Sequence, residues 1–246
     1  MDNVGSTGQE FFFFLVAYFV FFLFSFKADP RFSLKYKKPP SYQHLFFIST
    51  VGTVVMLSVL VLLNLIFSRD LVAVFNLNSL YFRWHDILLG LLACLAIFIF
   101  IMPMEALISS VRRKFFHSYK SRREDEVKKL ILASFPKSQT QMFILLTITS
   151  LKAAIFEEII FRGYLLGGLL LWVSPVIAII VSAVLFFAGH LYQGIFPSFL
   201  PFFGGLAFGL AFFLTRSLTV VIVAHFVGDM IGLTIQAIVM SKKNKD

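Results

Sequence analysis

Between Glu157 and Arg162 the chain holds two adjacent carboxylates and a guanidinium inside an apolar run. On membrane-insertion scales each such charge costs about 2.5 kcal/mol or more at mid-bilayer, so charges kept there mark a functional site. Two further apolar runs carry imidazoles. One ends in Phe186-Phe187-Ala188-Gly189-His190, and the other contains His225-Phe226-Val227-Gly228-Asp229. Helical spacing sorts these groups. Residues four apart share a helix face, so Glu158 and Arg162 can neutralise each other. Glu157 lies about 100° round the helix and is left without a local partner. Phe186 and His190 share a face, as do His225 and Asp229. The polar stripe of the last run continues through Gly232 and Gln236. Lipid cannot satisfy such a stripe, so it faces protein or a watery cavity. A carboxylate base, an imidazole and a second His/Asp pair are the parts needed to activate water and stabilise an oxyanion. His190, His225 and Asp229 are also adequate ligands for zinc.

These groups need a membrane scaffold, and the composition supplies one. Of 246 residues, 59% are hydrophobic and 14% charged, where a soluble domain carries about 25% charge. The net charge is +9 at pH 7. Its basic residues lie in short connections, so they report orientation in the membrane rather than a nucleic-acid partner. The single cysteine, Cys94, excludes an intrachain disulfide and a cysteine zinc cluster. The first ten residues hold Asp2 and Glu10 and no basic residue. A signal peptide would need a basic start, so the first apolar run reads as a retained span.

The expected architecture is all-α, a polytopic transmembrane bundle of about seven spans, counted from apolar runs of about 20 residues. They are Phe11 to Phe26, Leu45 to Phe67, Ile87 to Val111, Gln141 to Leu170, Pro175 to Leu191, Phe202 to Thr215 and Leu218 to Met240. The stretch from Tyr192 to Pro201 reads as a loop. Two basic stretches, Lys27 to Lys38 and Arg112 to Lys137, should face the cytoplasm, the second as a surface helix. Glu105 follows Pro103 in the third span and reads either as a headgroup contact or as an auxiliary site residue. Gly205 and Gly209 form a small-residue pair suited to close helix packing. Depth raises a conflict. At about 1.5 Å per residue, His190 stands about 24 Å along its span and His225 about 12 Å along its own, from the same side.

The set Glu157-Glu158-xxx-Arg162, Phe186-xxx-His190 and His225-xxx-Asp229 resembles the CAAX-protease and bacteriocin-processing (CPBP) family, which includes the type II CAAX prenyl endopeptidases. The resemblance divides the chain into N-terminal helices with a basic loop, 1–139, and a catalytic core, 140–246. It implies a helical bundle enclosing a cavity in a cell membrane, such as a bacterial inner membrane. The implied activity is hydrolysis of a peptide bond in a membrane-associated protein or peptide, prenylated CAAX proteins among them. Glu157 would activate water with His190, and Glu158 and Arg162 would support it. His225 and Asp229 would stabilise an oxyanion or bind zinc. Prenyl endopeptidases commonly carry Asn where this chain has Asp229. Ionised Asp cannot donate to an oxyanion, so Asp229 would be protonated, orient His225 or bind a metal. The family also contains bacteriocin-immunity and scaffold proteins, so a non-catalytic membrane scaffold is the alternative reading.

Overall fold

The computed structural model describes residues 4–28, 41–80, 82–116, 126, 129, 130, 136 and 138–243. Those residues form helices and connections without a strand, as the composition requires. In order they are α1 (Val4–Ala28), α2 (Tyr42–Ile66), the short α3 (Leu71–Val74), a 3-10 turn at Leu77–Ser79, α4 (Trp84–Phe115) and α5 (Gln139–Glu158). A π-helical segment, Ile159–Leu166, and α6 (Gly167–Leu169) continue α5. Then come α7 (Pro175–Gly189), a 3-10 turn at Leu191–Gln193, α8 (Ile195–Thr215) and α9 (Leu218–Lys243). The surface helix expected over 112–137 lies mostly outside the described residues.

Local chemistry explains several boundaries. Pro39-Pro40 precedes α2, and the Ser41 hydroxyl caps it by accepting from the His44 amide at 3.2 Å. The Asp70 carboxylate caps α3, accepting from Val72 N at 2.9 Å. Ser174 caps α7, with Pro175 at its first position, where a proline costs no hydrogen bond.

A helix stands at each of the seven expected apolar segments, but the crossing count is not thereby seven. Among the described residues, four helices are long and apolar enough to cross a membrane: Tyr42–Ile66, Trp84–Phe115, Ile195–Thr215 and Leu218–Ile235. Phe11–Ser25 and Pro175–Gly189 are shorter apolar helices. The expected loop from Tyr192 to Pro201 is also corrected. Helix α8 begins at Ile195, so Pro201 lies inside it. Pro197 falls in its first turn, where the missing amide hydrogen would be unpaired anyway.

The core gathers on the π-helical segment, whose residues Ile160 to Leu166 are all buried. The Phe161 ring meets Phe14 edge-on at 5.6 Å and Phe186 at 5.0 Å. Such edge-to-face pairs add to simple burial. Of the four long apolar helices α4 is the least enclosed, exposing Leu92, Leu95, Ile99 and Met102 as lipid-facing surface would. Glu105 is exposed on that helix.

Candidate active site

The double glutamate sits where α5 widens into the π-helical segment. Single π-turns recur at functional sites because they re-aim side chains within a helix. Two carbonyls of this segment take side-chain donors. The Ser182 hydroxyl donates to Phe161 O at 3.3 Å, and Asn76 Nδ2 donates to Gly163 O at 2.7 Å. Asn64 Nδ2 adds a bond to the Tyr164 hydroxyl at 3.0 Å. Glycine permits this docking. A Cβ on Gly163 would strike the Phe75 carbonyl, and one on Gly167 would strike the Asn76 amide.

Below the widened turn lies a closed ionic node. Glu158 and Arg162 have no exposed surface, and His225 is buried at 6%. Arg162 Nη1 donates to Glu158 Oε1 at 3.0 Å, the expected i, i+4 pair. Arg162 Nη2 donates to the Gly205 carbonyl at 3.2 Å. The guanidinium lies over Phe186 at 4.9 Å and over Phe208 at 5.4 Å, a cation–π arrangement. Gly205 and Gly209 set the spacing behind it. A Cβ on Gly205 would lie 3.1 Å from Ala183 Cα, and one on Gly209 would lie 3.2 Å from Ile179 Cγ2.

His225 joins this node more closely than it joins Asp229. Its Nδ1 stands 2.7 Å from Glu158 Oε1, while its Nε2 stands 3.6 Å from Asp229 Oδ2. A carboxylate only accepts, so Nδ1 carries the proton. The His225 ring also stacks on Phe208 at 4.9 Å and 19°. Glu158 thus fixes both tautomer and ring plane, the task that spacing alone gives to Asp229. Glu158 Oε2 and Arg162 Nε have no hydrogen-bond partner among the described residues.

Glu157 and His190 take no part in the hydrogen bonds of the node. Both are partly exposed, and both line a cavity of about 90 Å³ between α1, α2, α5 and α7. His190 terminates α7, and its Nδ1 lies 2.8 Å from the Phe186 carbonyl. That carbonyl can only accept, so Nδ1 is the protonated nitrogen and Nε2 keeps its lone pair. Ser198 Oγ donates to the His190 carbonyl at 2.8 Å and holds the turn. The Tyr192 ring stacks beside the imidazole at 6.2 Å. A partly desolvated carboxylate and a basic imidazole nitrogen on one cavity can take a proton from water.

The depth conflict resolves in the same geometry. The Phe186 ring meets both imidazoles, 4.6 Å from the His190 ring and 6.4 Å from the His225 ring. His190 is thus one turn farther along α7 than Phe186, the residue of that helix that meets the His225 ring. Among the described residues, no group of three or more His, Cys, Asp or Glu side chains is placed to hold a metal ion. His190, His225 and Asp229 are therefore not gathered as a ligand set here. The Asp229 side chain is 37% exposed, and added Cβ atoms on Gly228 and Gly232 would meet open space. That side of the α9 stripe faces a gap rather than packed side chains, and the side chain of Gln236 lies outside the described residues.

Several contributors escape a spacing argument. Phe208 and the Gly205 carbonyl come from α8, and Tyr18 comes from α1, donating to the Leu185 carbonyl at 2.6 Å. None carries a charge that would flag it. Lys152 does, five residues before Glu157 in the same apolar run. It donates to Ser49 Oγ at 2.9 Å.

Residues 139–231 match the family model of the type II CAAX prenyl endopeptidases, Rce1-like. That stretch contains every acid and imidazole of the site. No curated protein and no solved structure matches the chain.

Proposed function

We propose that the chain is an intramembrane endopeptidase in which Glu157 and His190 activate water against a peptide bond of a membrane-associated substrate. The observation that carries this reading is the shared cavity of Glu157 and His190, with His190 Nδ1 tied to a carbonyl and Nε2 left basic. One of the two groups takes a proton from water as its oxygen attacks the carbonyl carbon. The C–N bond then breaks, and the proton passes to the leaving amine, so atoms and charge balance. His225, fixed through Nδ1 by Glu158, presents Nε2 toward Asp229 and the open side of α9. A proton on that nitrogen would stabilise the developing oxyanion. In this reading α1, α5 to α6, and α7 enter the bilayer with the four longer helices.

The test is purified protein in detergent, incubated with a peptide library and followed by mass spectrometry, with and without chelator and added zinc. Cleavage lost in Glu157→Gln and in His190→Ala is the expected result. Undiminished cleavage in Glu157→Gln would overturn the assignment. The chelator arm reports metal dependence separately.

A further inference from the structure

Three successive carbonyls in the last turn of α7 take donors outside the α-helical pattern. The His190 amide donates to Phe187 O at 2.9 Å, one residue short of the α-helical acceptor, Phe186 O. Phe186 O accepts from the His190 ring instead, through Nδ1 at 2.8 Å. Leu185 O accepts from another helix, from the Tyr18 hydroxyl of α1 at 2.6 Å. Carbonyls at a helix end lack amide partners farther along the helix, so side chains can claim them. The His190 ring is thus hung on the carbonyl that the tightened turn sets free.

Tyr18 is fixed in place by its own packing. The residue is buried, and its ring stacks on Phe14 at 5.5 Å and meets Phe161 edge-on at 6.4 Å. Gly189 leaves room for the hydroxyl, since a Cβ there would lie 3.2 Å from the Tyr18 oxygen. Tyr18 is also a wall of the cavity that holds Glu157 and His190. A second hydroxyl, Ser198 Oγ of α8, donates to the carbonyl of His190 itself at 2.8 Å. Two hydroxyls from two other helices therefore hold the turn that carries the imidazole. Helix α1 lies outside residues 139–231, so the chemistry of the matched stretch leans on a helix beyond it.

We propose that Tyr18 is a positioning residue for His190, its hydroxyl holding the end of α7 in the tightened turn that leaves Phe186 O to Nδ1 and so keeps Nε2 basic. This rests on the endopeptidase reading for the effect on cleavage, and on the hydrogen bonds of α7 alone for the effect on the imidazole. Without the hydroxyl, the turn is free to relax to the α-helical bond from His190 N to Phe186 O. The ring then loses its acceptor, and a neutral imidazole carries its proton on either nitrogen. The share of molecules with a lone pair on Nε2 falls, and the rate falls with it.

The test compares Tyr18→Phe, which removes one oxygen and keeps the ring, with Phe13→Leu. Phe13 is a buried α1 residue that packs on Phe67 and is no part of the cavity wall. In Tyr18→Phe, kcat should fall about tenfold at nearly unchanged KM, the scale of one hydrogen bond. Phe13→Leu should lower the unfolding midpoint at least as far and leave both constants as they are. A second readout needs no cleavage. It is the 15N spectrum of histidine-labelled protein in lipid, recorded well above the ordinary imidazole pKa. The His190 signals are assigned by their loss in His190→Ala. Wild type and Phe13→Leu should show Nδ1 protonated and Nε2 bare, and Tyr18→Phe should show a mixture of the two tautomers. An unchanged kcat in Tyr18→Phe would overturn the proposal, as would a wild-type His190 spectrum in that variant. An equal loss of kcat in Phe13→Leu would reduce Tyr18 to packing and overturn it too. If the wild type cleaves no peptide and Tyr18→Phe still mixes the tautomers, the endopeptidase reading falls and the positioning role stands.

Discussion

The carboxylate of Glu158 has no exposed surface, and one of its oxygens serves both Arg162 and His225. The carboxylate one residue earlier, Glu157, is partly exposed on a cavity and shares none of those bonds. Two identical side chains adjacent in the chain thus occupy opposite environments. The closed one is costly to build, since charges removed from water are stable only when their partners are in place. The open one keeps a carboxylate that water can reach. The ionic contacts of the fold go to the first, and the second takes no part in them. The two histidines divide in the same way, with His225 in the closed node, His190 on the cavity and the Phe186 ring in contact with both.

Breaking the closed node should have the largest consequence. Glu158→Ala leaves Arg162 and the His225 Nδ1–H buried without their acceptor, at a cost of about 3–5 kcal/mol. Thermal unfolding in detergent should show a much lower midpoint, and activity should fall with it. An unchanged midpoint would mean that the node is not structural. Glu157→Gln should lose activity about 10²–10⁴-fold, the scale of a missing general base. Its unfolding midpoint should match the wild type, and a large drop would erase the contrast between the two glutamates.

Phe208→Ala removes the ring that lies against both Arg162 and His225. A desolvated cation–π contact is worth about 2 kcal/mol, so the midpoint should fall by more than a single packing contact would cause. The effect should vanish in an Arg162→Met, His225→Phe background if the ring acts through those groups. Asn76→Ala should be the mildest, about 1 kcal/mol for one hydrogen bond from its amide to the Gly163 carbonyl. Asn76 also has a positive φ of 51°, so Asn76→Gly should recover part of the loss that comes from backbone strain.

The helical positions of the chemistry were legible in the sequence. Glu158 and Arg162 pair at i, i+4 as spacing requires, and Gly205 and Gly209 are packing positions. The same rule pairs His225 with Asp229, yet Glu158 is the closer partner, from another helix. Spacing sees only neighbours on one helix, so a bond between α5 and α9 is beyond it. Hydropathy had the same limit at Pro201. A proline after an apolar stretch reads as a boundary, while α8 starts before it. Lys152 was within reach, because the rule that flags Glu157 applies equally to a lysine ten residues inside an apolar run.

By itself the sequence determined that this chain is a membrane helical protein and which side chains in it could do chemistry. Apolar runs and the cost of intramembrane charge are properties of single segments, and need no partner to be read. It also determined the brace within one helix turn. Only the tertiary structure decided which glutamate is enclosed and which is open, because that depends on where α7, α8 and α9 stop against α5. It also decided that the Phe186 ring meets both His190 and His225, and that the ammonium of Lys152 reaches Ser49 on the wall of the cavity. Depth and rotation between helices are fixed by packing across the bundle, and no repeat within one segment encodes them.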